Sequence, residues 1–204
     1  MDKIITISRE YGAGGHSIGQ QVAKELGIPF YDRDILKATV QTSGFDPDMV
    51  EHDQEDVSST NFFFKSICSF ADASFSDTQD AIHDVQKAVI LHFAKEGPCV
   101  ILGRCGDYVL RERKDVLRVF VYAPKEWRLE YAKTNPLVKA KDEKGIKDEV
   151  EKTDRNRSAY YNYYTQNRWG DAHNYDLAIN AALGRETCVK MILDAAAAKE
   201  KNLG

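Results

Sequence analysis

The stretch IITISREYGAGGHSIG, Ile4 to Gly19, decides the fold. Ile4, Ile5 and Ile7 form a short β-branched run, glycines follow, and Ile18, Val22, Ala23 and Leu26 then recur at helical spacing. A strand that ends in glycines and opens a helix offers backbone N–H groups and the positive end of a helix dipole to an anion. The layout is that of a phosphate cradle, with the amides of Gly12, Ala13, Gly14, Gly15 and His16 as donors. The usual loop of this kind, GxxxxGK[ST], adds a lysine for the phosphates and a hydroxyl for magnesium. Here no lysine follows the glycines. Aligned by the strand, Arg9 stands at the first glycine, Gly14 at the second, Gly15 at the lysine and His16 at the hydroxyl. Shifted by one, His16 stands at the lysine and Ser17 keeps the hydroxyl. Two other readings of the glycines stand beside the cradle. One is a turn that only lets a helix pack closely on a strand. The other is a dinucleotide loop, for which Asp32 alone could be the acid after a second strand and no second mononucleotide half follows.

Working outward, IPFYD (28–32), PCVILGR (98–104), VLRVFVYA (116–123) and YDLAIN (175–180) supply four further strands. Helical patterns separate them: Ile82, Val85, Val89 and Phe93 in one, APKEWRLEYAK and ETCVKMILDAAAAK in others. Strands alternating with helices predict an α/β fold, a five-stranded parallel sheet with helices on both faces. Residues 37–80 mix Ser, Asp and Phe without a sustained period, and residues 133–174 run from a charged stretch into DRNRSAYYNYYTQNRWGDAHN. Both read as insertions over one end of the sheet of a single domain, 1–204.

With 204 residues and 43% hydrophobic content the chain can bury a core as one soluble domain. A formal net charge of −4 disfavours a generic nucleic-acid binder and suits a small anionic ligand held by local basic groups. Cys68, Cys99, Cys105 and Cys188 show neither a CxxC pair nor zinc spacing, so they read as reduced thiols. With no apolar window long enough for a membrane span, the expected location is the cytoplasm, with no membrane partner.

Taken together, ITISREYGAGG, GIPFYDRDIL, GPCVILGRCGDYVL and DRNRSAYYNYYTQNRWGDAHNYDLAIN, in that order, resemble the cytidylate kinase-like branch of the P-loop nucleoside monophosphate kinases. Members of this branch similarly replace the loop lysine. The resemblance covers essentially the whole chain and implies the P-loop nucleoside triphosphate hydrolase-type kinase fold. It also implies a phosphotransferase that moves the terminal phosphoryl group of ATP, with Mg2+, to CMP, dCMP or a similar acceptor. It makes residues 37–80 the monophosphate-binding segment and 133–174 the lid. Gly103 and Arg104 resemble the family's GRD segment, whose arginine and aspartate contact the monophosphate; Cys105 stands where that aspartate would be, and Asp107 follows two residues later. Asp154 and Arg157 match the DxxR of the lid, whose arginine contacts phosphates in the transition state. Asp32 and Arg33 fall where the second strand leads into the acceptor-binding segment.

Physical chemistry supports these roles independently. Phosphoryl transfer spreads charge over equatorial oxygens, which a planar guanidinium both positions and offsets. Arg9, Arg104, Arg128, Arg155 and Arg157 are the available supply, and Arg9 could give the positive charge that the loop lysine would have given. A surface ion pair with Glu10 is the alternative for Arg9, and a solvated helix face with short-range pairing is the alternative for Asp154, Arg155 and Arg157. Ser17 is the better candidate for the metal-side hydroxyl, and His16 reads as a loop histidine. Tyr160, Tyr161, Tyr163, Tyr164 and Trp169 read as packing of the lid helix in preference to stacking on a base. Phe62, Phe63 and Phe64 could pack near the acceptor or form a contact in a homo-oligomer. The rival to the enzyme is a nucleotide-binding or regulatory module that kept the fold and lost catalysis with the lysine. A kinase of a different small phosphate acceptor is the third reading.

Overall fold

The computed structural model describes residues 3–32, 78–135 and 138–201. In chain order the elements are β1 (Ile4–Arg9), α1 (Gly15–Leu26), β2 (Phe30–Tyr31), α2 (Thr78–Glu96), β3 (Cys99–Leu102) and α3 (Gly106–Val109). They continue with β4 (Val116–Tyr122), α4 (Lys125–Thr134), α5 (Glu143–Thr165), β5 (Leu177–Asn180) and α6 (Arg185–Lys201). The five strands form one parallel sheet in the order β2-β3-β1-β4-β5. β1 lies at its centre, with Ile4 opposite Cys99 of β3 and opposite Val116 of β4.

Alternation along a strand sends successive side chains to opposite faces. Ile5 and Ile7, with Val100, Leu102, Val119 and Val121, pack on one face against Ile18 and Val22 of α1 and Val189 and Ile192 of α6. Ile4, Cys99, Ile101 and Val116 pack on the other against Val89, Ile90 and Ala94 of α2. Burial on both faces is why β1, β3 and β4 read in the sequence as nearly unbroken apolar runs. Each of the largest fully buried side chains, such as Ile7 or Ile90, contributes on the order of 1.5–3 kcal/mol through burial. β2 is shorter than the IPFYD run, only Phe30 and Tyr31 pairing with Val100 and Ile101.

The second expected insertion is dominated by one helix, α5, which spans Glu143–Thr165. Ile146 and Val150 pack its first half against Ala132 of α4, with Tyr11 and Leu129 alongside. Tyr160 and Tyr161 pack its second half against Cys105, with Trp169 alongside. The first insertion lies outside the described residues except for 78–80, which open α2. Arg33, Cys68 and Phe62 to Phe64 also lie outside them. Cys99, Cys105 and Cys188 are buried thiols, and burial pushes the Cys99 thiol up to about 11. No helix among the described residues is long and apolar enough to cross a membrane.

Candidate functional site

Parallel strands bring the segments after β1 and β3 to the same end of the sheet, where open α/β folds bind ligands. After β1 the chain turns through residues 10–14 and enters α1. Gly14, at φ 73°, takes the left-handed conformation that opens the helix, and no side chain caps it. The Ile18 amide makes the bond back to the Gly14 carbonyl, at 3.0 Å. The amides of Gly15, His16 and Ser17 precede it and have no partner inside the helix. No acid occupies the first turn, so the local field favours an anion. Ser17 donates its hydroxyl proton to the Gly14 carbonyl at 2.9 Å, which leaves its oxygen lone pairs to accept or to ligate.

His16 leaves the cradle and reaches toward β2. Its Nε2 lies 3.5 Å from Asp32 Oδ2, and its ring meets Phe30 edge-on at 5.3 Å. Asp32, expected on the acceptor side, thus lies beside a histidine of the glycine loop.

The loop is held from behind by α4 and α5. Arg128 is 8% exposed; its Nη1 donates to the Tyr11 carbonyl at 3.0 Å and to the Asp154 carboxylate. Its Nε lies 3.2 Å from Glu10 Oε2, without the alignment of a hydrogen bond. The Tyr11 amide donates to Asp154 at 2.7 Å, and the Tyr11 hydroxyl donates to Glu149 at 2.5 Å. Burial opposes the charge on Glu149, but the Tyr11 hydroxyl and the amides of Ala140 and Lys139 outweigh it and hold the carboxyl below its ordinary range. Burial raises Glu10, against the Ala123 amide and the Arg128 guanidinium. The carboxylate of the DxxR motif therefore engages the loop's own backbone and a second arginine. Arg157, three residues on, donates to the Arg9 carbonyl at 3.1 Å. Arg155 lies on the exposed side of α5, its Nη1 3.9 Å from Glu151.

At the end of β3, Gly103, Arg104 and Cys105 are all left-handed, with φ 76°, 56° and 54°. Two consecutive non-glycine residues in this region are unfavourable, by roughly 1–2 kcal/mol each. The turn faces a cavity of about 20 Å³ whose lining includes Ser8, Arg9, Arg104, Arg157, Tyr161 and Trp169. Three of the sequence-predicted arginines thus line one small space. Asp107 does not line it. Only 3% exposed, Asp107 lies beneath, accepting from the Tyr161 hydroxyl at 2.6 Å and the Ser8 hydroxyl at 3.3 Å. Burial raises its carboxyl above the ordinary range, against these bonds and Arg118.

On the other side of the cradle a groove of about 450 Å³ runs between α4 and the start of α6, with Gly14, Ser17, Trp127, Tyr131 and Thr187 among its walls. Trp127 and Tyr131 stack with centroids 5.2 Å apart, and the Tyr131 hydroxyl lies 3.3 Å from Ser17 Oγ. The sequence reading did not single out this aromatic pair. Its i, i+4 spacing in APKEWRLEYAK was the available signal. It also missed Ser8, Glu10, Tyr11 and Glu149, whose roles come from contacts distant in sequence.

Comparison with known proteins agrees with this layout. The model of the cytidylate kinase-like family matches residues 4–182. The chain is similar to the solved structure of an uncharacterized protein from Eubacterium ventriosum, with TM-score 0.69 and 24% identity over 96% of this chain and 98% of that one. It is similar at the level of fold to a shikimate kinase from Bacteroides thetaiotaomicron (TM-score 0.53, 12% identity, 94% and 97% covered). The same holds for a gluconokinase from Sinorhizobium meliloti (TM-score 0.51, 15% identity, 99% and 95% covered). A search of curated proteins returns no match.

Proposed function

Because the chain belongs to the cytidylate kinase-like family, we propose that it is a nucleotide kinase that transfers the γ-phosphoryl group of ATP to a nucleoside monophosphate, CMP or dCMP first. The observation that carries this reading is the lining of one cavity by Arg9, Arg104 and Arg157, beside an uncapped helix N-terminus. The amides of Gly12, Gly14, Gly15 and His16, with Ser17, hold the donor phosphates, whereas the Ala13 amide, expected among them, donates to the Glu10 carbonyl at 3.3 Å within the turn; the groove beside Trp127 and Tyr131 receives the rest of the donor. Arg104 grips the acceptor phosphate from the strained turn. An acceptor phosphate oxygen attacks the γ-phosphorus as the bond to the β–γ bridging oxygen breaks, and ADP leaves. Arg157 offsets the charge that develops on the transferred group. Asp154 acts one step back, fixing Tyr11 and Arg128 so that the loop and α5 keep their relative placement.

The residues present fit a magnesium nucleotide. Among the described residues there is no group of three His, Cys, Asp or Glu side chains arranged to hold a metal. Ser17, whose hydroxyl oxygen at the helix start keeps lone pairs open, would be the protein hydroxyl on an ion carried mainly by substrate phosphates. When bound, the ion neutralises charge on the donor phosphates.

The test is a coupled assay of ADP release with ATP and Mg2+ against CMP, dCMP, UMP, AMP and small hydroxyl acceptors. Turnover that depends on CMP or dCMP is expected. Turnover only with a hydroxyl acceptor would assign a different kinase, and nucleotide binding without turnover would assign a binding module.

A further inference from the structure

The sequence places Arg9 where it could replace a loop lysine, reaching along the loop to the donor phosphates. The geometry gives it a different path. A β-carbon added to Gly15 would lie 2.6 Å from Arg9 Cβ and 2.8 Å from its Cγ. The stem of Arg9 therefore fills the space that a side chain at position 15 would need. A β-carbon added to Gly103 would lie 2.2 Å from Arg9 Nη1 and 3.3 Å from its Cζ. The guanidinium thus crosses from β1 to the end of β3 and lies against Gly103, on the wall it shares with Arg104 and Arg157. Both ends of this path are fixed. The Gly103 amide donates to the Ile7 carbonyl at 2.9 Å, and Arg157 Nη1 donates to the Arg9 carbonyl at 3.1 Å. Glu10, the alternative partner, directs its carboxylate to the Ala123 amide and Arg128.

We propose that Arg9 is a bridging residue: its stem passes over the donor loop, and its guanidinium acts from the acceptor side on the acceptor phosphate and the group in transit. In this arrangement the Arg9 stem takes the space a side chain at Gly15 would need, and Gly103 is favoured both by its left-handed φ of 76° and by the guanidinium against it. The charge that the lysine would bring along the loop enters from the opposite strand end. The proposal rests on the kinase reading for its catalytic part, while its anion-binding part stands on the convergence of Arg9, Arg104 and Arg157 at the end of β3.

The test uses titrations of the full chain with ATP alone, CMP alone and orthophosphate alone, together with steady-state kinetics, on wild type, Arg9→Ala, Arg9→Lys and Gly103→Ala. Gly103→Ala displaces the guanidinium without removing it, and melting curves check that each variant folds. Arg9→Ala and Gly103→Ala should each weaken CMP and orthophosphate about tenfold, leave ATP within about threefold, and lower kcat by about 10²-fold. Arg9→Lys, which keeps the charge but loses the fork, should fall between. If Gly103→Ala does not fold, Arg9→Gln, which keeps the stem and removes the charge, replaces it. An equal or greater loss of ATP affinity, or unchanged anion affinity, overturns the proposal and returns Arg9 to the donor loop. A wild-type protein that binds orthophosphate through Arg9 but transfers nothing defeats the kinase reading and leaves the bridging path standing. A wild-type protein that binds neither CMP nor orthophosphate defeats the bridging path.

Discussion

Replacing Asp154 by alanine separates a clamp from a catalytic carboxylate. In the structure Asp154 accepts from the Tyr11 amide at 2.7 Å and pairs with Arg128, itself 8% exposed. Its loss strands the amide and half-dismantles a buried ion pair. An unsatisfied amide costs about 1–3 kcal/mol, and breaking a buried pair about 3–5 kcal/mol. Arg128 keeps Glu10 at 3.2 Å, and the Asp154 side chain is 18% exposed, so water and the remaining acid offset part of this. A loss of about 2–4 kcal/mol is the reasoned outcome. At about 2–4 °C per kcal/mol for a chain of this size, Tm should fall by about 5–15 °C. Asp154→Asn, which can still accept the Tyr11 amide, should recover part of the loss. Thermal unfolding followed by circular dichroism reads the shift, and ATP titration at a temperature where all variants are folded reads the loop. An Asp154→Ala protein that melts within about 2 °C of wild type and yet has lost turnover would refute the clamp and place the carboxylate on a ligand.

Three other outcomes follow from the same geometry. Arg157→Ala should lower kcat by about 10²-fold with only a modest change in substrate affinities, since a group that acts on developing charge matters most in the transition state; single-turnover kinetics check it, and a larger defect in Arg155→Ala would reverse the assignment. Arg104→Gly should be more stable than Arg104→Ala by about 1 kcal/mol because it relieves left-handed strain at φ 56°, while both weaken the acceptor far more than ATP; denaturant unfolding beside acceptor titration reads the two effects. Asp107 has its carboxyl raised above the ordinary 3.8 by burial. Its buried charge therefore weighs on the folded state at neutral pH, and the wild type should gain stability relative to Asp107→Asn as pH falls from neutrality through the raised value toward about 4. Denaturation at a series of pH values measures this, and a parallel pH dependence of the two proteins would contradict it.

The sheet was legible because its strands are buried on both faces, so that IITI, CVIL and VLRVFVY stand out without knowledge of their partners. The glycine turn that opens α1 was legible for a similar local reason: glycines and a helix start are adjacent in sequence. What the sequence could not show is geometry carried by distant pairs. Asp107 sits in the GRCGD run as if to meet the acceptor, but α3 buries it on Ser8, 99 residues away, and on Tyr161. The DxxR aspartate finds its arginine at Arg128, 26 residues earlier and on another helix. The exchange of volume between Arg9 and Gly15 also has no local signal, since it depends on how closely the strand end approaches the helix start.

The measurement that bears most directly on the kinase assignment is phosphorus NMR of the protein with ATP, Mg2+ and CMP. The account predicts that the CMP resonance falls as ADP and CDP grow in equal amounts, and that ATP stays intact over the same period when CMP is omitted. ATP that remains unchanged in the presence of CMP, dCMP and the other monophosphates, by a protein that binds ATP in titration, would contradict it.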